Sequence, residues 1–228
     1  MNHLSGTDRL ANRYHAMRHG QSKANDAGVI VSGIDTDRGG DYGLSERGLR
    51  QAAAAAQACG LPADTVIYSS DFSRARQTAE VVREHLGAPE VILTEALRER
   101  CFGDLEGTPV ANYARVWTAD GANGDHVRDG VEPAATVLDR TTALVADLER
   151  RYSGRDILLV SHGDTLQILQ AGFLRMDPSS HRRLPHLDTA QIRELHLAEA
   201  SPPAQTPLLD FSRTAEKLTP RMSPRSRR

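Results

Sequence analysis

Tyr14-His15-Ala16-Met17-Arg18-His19-Gly20-Gln21-Ser22-Lys23-Ala24-Asn25 is the stretch on which the reading of this chain turns. Its partly apolar first half reads as a short strand, and Gly20 with the polar residues after it as the loop that follows. An arginine and a histidine then stand side by side where a strand ends. In open α/β sheets, ligands bind in the crevice at the carboxyl ends of the strands. A permanently charged, planar guanidinium suits a phosphate, and an imidazole beside it can attack phosphorus. One such pair alone reads more simply as a surface turn, so its partners along the chain decide the matter.

Residues 26–43 hold five glycines and few periodic apolar positions, and read as a long loop. Asp35, Asp37, Gly40, Asp41 and Glu46 match the spacing of a calcium loop. Gly39 stands where a side-chain oxygen is needed and no helix precedes, so calcium is not expected. Ser45 caps a helix running to Cys59, with Leu44 and Leu49 as a staple and Gly60 as the stop. Residues 65–69 are a β-branched strand leading into Ser70-Asp71-Phe72-Ser73-Arg74. There a helix begins, with Ala75, Ala79, Val82 and Leu86 as its core stripe. Arg74 lies in that helix's first turn, where backbone N–H groups favour anions, so either a bound anion or a bridge to Asp71 should accompany it.

Residues 91–93 form a third strand, followed by the charged run Leu97-Arg98-Glu99-Arg100. Residues 107–132 read as a capping insertion with one short helix. Trp117, His126 and Arg128 in it line the substrate end of a pocket or simply pack and face solvent. Pro133 is expected at the first position of the next helix, whose stripe is Val137, Thr141, Leu144, Leu148 and Tyr152. Residues 156–160 are apolar without alternation, as in a central parallel strand, and run into Ser161-His162-Gly163-Asp164. A strand entering His-Gly thus occurs twice, and parallel neighbours would bring His19 and His162 to one sheet edge. Leu166, Leu169 and Phe173 mark a helix, and 191–197 alternate as a last, half-exposed strand.

The 228 residues suit one large α/β domain or one carrying an insertion. A formal net charge of -2 and 4% aromatic content give no reason to expect nucleic acid or an anionic membrane as partner. Two cysteines, Cys59 and Cys101, fit a reducing compartment, with Cys101 read as a small buried hydrophobe. His85, His181, His186 and His196 show no metal-like spacing. With no apolar run near the ~20 residues of a membrane span, and no signal-like core in residues 1–12, a cytoplasmic protein is expected. Its layout is an N-terminal extension (1–12), a domain (13–200) and a basic, flexible tail (201–228).

Five blocks, in order, resemble the histidine phosphatase superfamily, also called phosphoglycerate-mutase-like. They are Arg18-His19-Gly20-Gln21-Ser22 with Asn25; Gly43-Leu44-Ser45-Glu46-Arg47-Gly48; Ser69-Ser70-Asp71-Phe72-Ser73-Arg74-Ala75; Leu97-Arg98-Glu99-Arg100; and Val160-Ser161-His162-Gly163. The resemblance implies a three-layer α/β/α sandwich around a mostly parallel sheet, and no metal or other cofactor. It implies that His19 is the nucleophile that becomes phosphohistidine. Arg18, Arg74 and His162 would hold the phosphoryl oxygens, with Asn25, Ser22 and Gly163 also at the substrate. Glu99 would protonate the leaving oxygen and then activate water.

Gln21 and Ala24 stand where mutases of that family typically carry Glu and Trp. The insertion shows no basic cluster beyond Arg115 and Arg128. Both departures favour a metal-independent phosphomonoester hydrolase of the histidine acid type over phosphoglycerate mutase-type transfer, with a non-catalytic phospho-ligand binder last. The expected partner is a phosphorylated small molecule; homodimerisation is open. Cationic neighbours should lower the pKa of His19, and a backbone carbonyl should hold its other ring nitrogen. His162 could be a protonated third cation. Partial burial should raise the pKa of Glu99 against the pull of Arg98 and Arg100; without the resemblance, a surface pair with one of them would be favoured.

Overall fold

The computed structural model describes residues 1–37 and 39–199, so the expected tail lies outside the described residues. The strands are β1 (Arg13–Arg18), β2 (Val66–Ser69), β3 (Val91–Leu93), β4 (Asp156–Ser161) and β5 (Ile192–Leu195). They form one sheet in the order β3-β2-β4-β1-β5, with β1 to β4 parallel and β5 antiparallel to β1. The helices are α1 (Lys23–Ala27), α2 (Ile34–Asp37), α3 (Glu46–Ala58), α4 (Ser73–Leu86), α5 (Tyr113–Ala122), α6 (Ala134–Arg151) and α7 (Gly163–Phe173).

Strand side chains point alternately to opposite faces, so a strand apolar at every position needs cover on both. Ile157 and Leu159, with Tyr14, Ala16 and Tyr68, enter a core with Val145 and Leu148 of α6 and Leu166, Leu169 and Phe173 of α7. Leu158 and Val160, with Met17 and Ile67, meet Ala56 of α3 and Ala75, Ala79 and Val82 of α4. Those two cores make the α/β/α sandwich. Residues 1–12 pack on the α6/α7 layer, where Leu4 is buried and Asn2 Nδ2 donates to Gly172 O at 2.9 Å.

Two local expectations change. Residues 26–43 are not loop throughout. Ser22 and Asn25 close a capping box that starts α1, Gly28 at φ 66° ends it, and α2 follows. Pro133 sits before the first turn of α6, not in it, because its ψ of 140° is extended. Ser45 does cap α3, accepting from Gly48 N–H at 3.2 Å.

What matters for a site is the edge where β1, β2 and β4 end. Arg18 pairs with Ser161 in register. The ladder then continues past the strands, with His19 N–H donating to Ser161 O and Ser70 N–H to Val160 O, both at 3.0 Å. The loop after His19 lies directly on α3. A Cβ on Gly20 would stand 2.5 Å from Gly48 O, and one on Gly48 2.0 Å from Gln21 O. Only glycines permit that approach. Among the described residues, no helix is long and apolar enough to cross a membrane.

Candidate active site

His19 and His162 face each other edge-on at the sheet edge, with ring centroids 5.1 Å apart. Gly20 O lies 2.7 Å from His19 Nδ1 and can only accept, so the ring hydrogen sits on Nδ1 and the lone pair on Nε2. Burial, then Arg74 and Arg18, hold this imidazole well below its ordinary pKa, and it is neutral near pH 7.

Arg74 is buried in the first turn of α4. Its Nε donates to His19 Nε2 at 3.3 Å and its Nη2 to Val31 O at 2.9 Å. Asp71 does not pair with it, because Arg98 occupies that carboxylate at 2.6–2.8 Å. The acid near Arg74 is instead Asp37, 3.6 Å away, which also accepts from Ser73 N–H and Oγ.

His162 Nε2 lies 2.9 Å from Ser70 Oγ, whose oxygen already accepts from Phe72 N–H at 3.3 Å. The serine hydrogen can point at Nε2, and in that tautomer the imidazole hydrogen sits on Nδ1. The expectation of a protonated His162 is corrected: burial, then Arg74 and His19, push its pKa well below the ordinary value.

Buried polar groups are nearly always hydrogen-bonded. Five buried side-chain polar atoms among the described residues are not, and Arg18 Nε, Arg74 Nη1 and His162 Nδ1 are three of them. With His162 in that tautomer these are three donors without a hydrogen-bond acceptor, grouped around a neutral imidazole, and they complement a tetrahedral anion. Arg18 is anchored by Nη1 to Leu187 O at 3.0 Å. Gly163 lies against that guanidinium, where a Cβ would stand 3.5 Å from Arg18 Cζ, an ordinary contact.

A cavity of about 360 Å³ opens beside this cluster, bounded by Arg18, Asn25, Glu99, Tyr113, Trp117 and Arg182. Asn25 Oδ1 accepts from Ser22 N–H and Oγ at 3.1 and 3.0 Å, so its amide nitrogen is the end left to donate. Ser22 is fully buried as the α1 cap and holds Asn25 from behind. Glu99 Oε1 is fixed by the N–H groups of Arg100 (3.0 Å) and Thr165 (3.2 Å), while no hydrogen bond reaches Oε2 from the described residues. Burial, then Asp164, raise the pKa of Glu99, and Arg74 is the cation that opposes them. The guanidinium groups of Arg98 and Arg100 are not its partners. The first serves Asp71; the second, fully buried, grips Asp120 with two bonds of 2.7 and 2.8 Å.

Residues of α5 and of the segment around Arg182 wall the cavity. Tyr113 and Trp117 of α5 stack at 5.2 Å, and Arg182 Cζ lies 3.7 Å from the centroid of the Trp117 ring. Asp164 ties this wall down, accepting from Trp117 Nε1 at 3.0 Å and Arg100 Nη1 at 3.1 Å beside His181 Nε2 at 3.3 Å. Burial pushes the Asp164 carboxyl up, but His181 and Arg100 outweigh it and hold the pKa at about 2. His126 and Arg128 do not join Trp117: they rim a separate, smaller cavity, where His126 Nε2 meets Asp120 Oδ1 at 2.9 Å. Cys101 is exposed, not buried.

The structure thus brings Arg18, His19, Arg74, Glu99 and His162 together, with Asn25 and Gly163 at the cavity wall. Sequence reasoning missed Ser70, Tyr113, Asp164 and Arg182. Ser70 and Asp164 stand inside the quoted strand-end motifs, which was signal enough to question them. Arg182 arrives on a 3₁₀ turn, Pro178–Arg183, in a segment without apolar period.

The histidine phosphatase superfamily (branch 1) matches residues 15–206. A metal-independent phosphoserine phosphatase of Arabidopsis thaliana is 30% identical over 193 residues, 80% of this chain and 75% of that one. A 2,3-bisphosphoglycerate-dependent phosphoglycerate mutase of Parvibaculum lavamentivorans is 32% identical over 189 residues, 76% and 84% of the two chains. Among solved structures, a mycobacterial glucosyl-3-phosphoglycerate phosphatase in complex with VO3 superposes with TM-score 0.67 at 29% identity, over 80% of this chain and 91% of that one.

Proposed function

The chain belongs to the histidine phosphatase superfamily, branch 1, and from that premise we propose that it is a metal-independent phosphomonoester hydrolase of the histidine acid type, with residues 107–132 as the cap of its domain. The observation that carries this reading is the trio of buried atoms without a hydrogen-bond partner, Arg18 Nε, Arg74 Nη1 and His162 Nδ1, around the neutral His19.

Phosphoryl transfer asks little of a protein beyond positioning and stabilisation of charge on the equatorial oxygens. Arg18, Arg74 and the His162 Nδ1–H group supply that stabilisation. His19 Nε2 attacks phosphorus as the ester P–O bond breaks, and the leaving oxygen takes the proton of Glu99 from Oε2. The product alcohol departs, leaving phosphohistidine. Glu99, now a carboxylate, takes a proton from water as the water oxygen attacks phosphorus; the P–N bond breaks, and phosphate and free His19 result. General acid–base help of this kind is worth about 10²–10⁴-fold. Relatives named for phosphoserine and glucosyl-3-phosphoglycerate support a small phosphorylated metabolite as substrate. So does a cavity of about 360 Å³, toward the small end of ligand pockets.

The test is rapid-quench turnover of a ³²P-labelled phosphoester in excess chelator. Acid-labile, alkali-stable label on the wild-type chain, lost together with turnover in His19→Ala, is the expected result. Label that persists in His19→Ala would overturn the assignment. Exchange of phosphate among phosphoglycerates without net release would place the activity with the mutase relative.

A further inference from the structure

Arg182 is the cation in the cavity that the phosphoryl chemistry leaves without a task. It shares that cavity with Arg18, Asn25 and Glu99. Its guanidinium is held in place by stacking on Trp117 at 3.7 Å and by an Nη1 hydrogen bond to Gln167 Oε1. Its side chain remains 32% exposed. No hydrogen bond from the described residues reaches its Nε or Nη2, which together form one edge of the fork. The nearest acid, Asp164, lies 3.7 Å away with its oxygens already engaged by Trp117, His181 and Arg100. Glu99, the other carboxyl at the cavity, is pushed toward its neutral form by burial. The segment carrying Arg182 is tied to the phosphoryl end through the Arg18–Leu187 bond.

We propose that Arg182 is a specificity-determining residue: its free edge receives a second anionic group, a carboxylate, on the same molecule whose phosphoryl group sits at Arg18, Arg74 and His162. The proposal rests on the phosphatase reading of that site. A planar carboxylate matches the two N–H groups of one guanidinium edge, and a pre-stacked arginine loses little freedom on binding it. Such a contact exists before and during the reaction alike, so its loss raises KM and leaves kcat largely intact.

The experiment compares 3-phosphoglycerate with glycerol 3-phosphate, which differ in the carboxylate. Wild type is expected to favour the former in kcat/KM by about 10–100-fold, the range for a charge-assisted contact. Arg182→Ala should erase that ratio through KM, and Arg182→Lys should restore part of it. A ratio unchanged in Arg182→Ala, or an equal loss on both compounds, overturns the proposal. In a third arm, 1,3-propanediol bisphosphate is set against its monophosphate; discrimination there, and not for the carboxylate pair, overturns the carboxylate assignment. A wild-type chain that hydrolyses neither compound defeats the hydrolase reading alone. Titration calorimetry of His19→Ala with the carboxylate pair then decides the subsite: a carboxylate preference that added Arg182→Ala abolishes upholds it, and no preference sinks it.

Discussion

The strand-end cluster and the wall over it do the same electrostatic task by opposite means. In the cluster, Arg18, His19, Arg74 and His162 gather at the sheet edge, and three of their polar atoms are left without a hydrogen-bond partner. In the wall, Arg100, Asp120, Asp164, Trp117 and His181 satisfy one another almost completely. Unsatisfied buried groups mark where a ligand binds, and mutually satisfied ones mark what holds a wall in place. The same types of charged residue therefore carry different consequences when removed.

Arg74→Ala should give the largest effect, a fall of about 10³–10⁵-fold in turnover, as for other arginines on a transferring phosphoryl group. The check is steady-state kinetics with an alkyl phosphate. Glu99→Gln should cost about 10²–10⁴-fold with the same substrate. In wild type kcat/KM falls as pH rises through the raised pKa of Glu99; that alkaline limb should vanish in the variant, while the acid limb, set by protonation of His19 below the ordinary imidazole range, should remain.

For the wall, Arg100→Ala strands the buried Asp120 and should cost about 3–5 kcal/mol of stability, read by urea unfolding. A loss under about 1 kcal/mol would show that the two regions are not held differently after all. Acid tests the wall more gently. Asp164 has a folded pKa of about 2 against an unfolded one of about 3.9. A depressed carboxylate contributes stability above its unfolded pKa and loses it as pH falls through its folded one. Trp117, the single tryptophan of the chain, should shift its emission to the red across that window, and at neutral pH in Asp164→Asn. The smallest effect belongs to Arg115→Ala, which breaks an exposed pair with Asp129 and should change stability by less than about 1 kcal/mol.

Legibility followed the same division. The sandwich could be read because β4 is apolar at every position and α4 and α6 carry clean stripes. The cluster could be read because two strands run into His-Gly. Arg74 was placed correctly; the Asp71 bridge, offered as the alternative to an anion, does not form, and Asp37 reaches it from 37 residues earlier in the chain through a fold-dependent contact. Glu99 was found in a charged run whose arginines turn to Asp71 and Asp120, which local sequence does not announce. His126 and Arg128 were grouped with Trp117 by proximity in sequence, but residues around a short 3₁₀ turn diverge in direction. Arg182 left no trace, because a turn has no period by which to anticipate where it points.

One feature of the sheet reaches further. His19 and His162 each follow directly on residues paired across β1 and β4, and their rings stand 5.1 Å apart, close to the spacing of adjacent strands, about 4.7–4.9 Å. The gauge of the reacting centre is thus a lattice constant of the polypeptide. Exchanging residues 107–132 or 178–187 with those of related chains should change which molecules are admitted while the spacing of the two imidazoles stays the same.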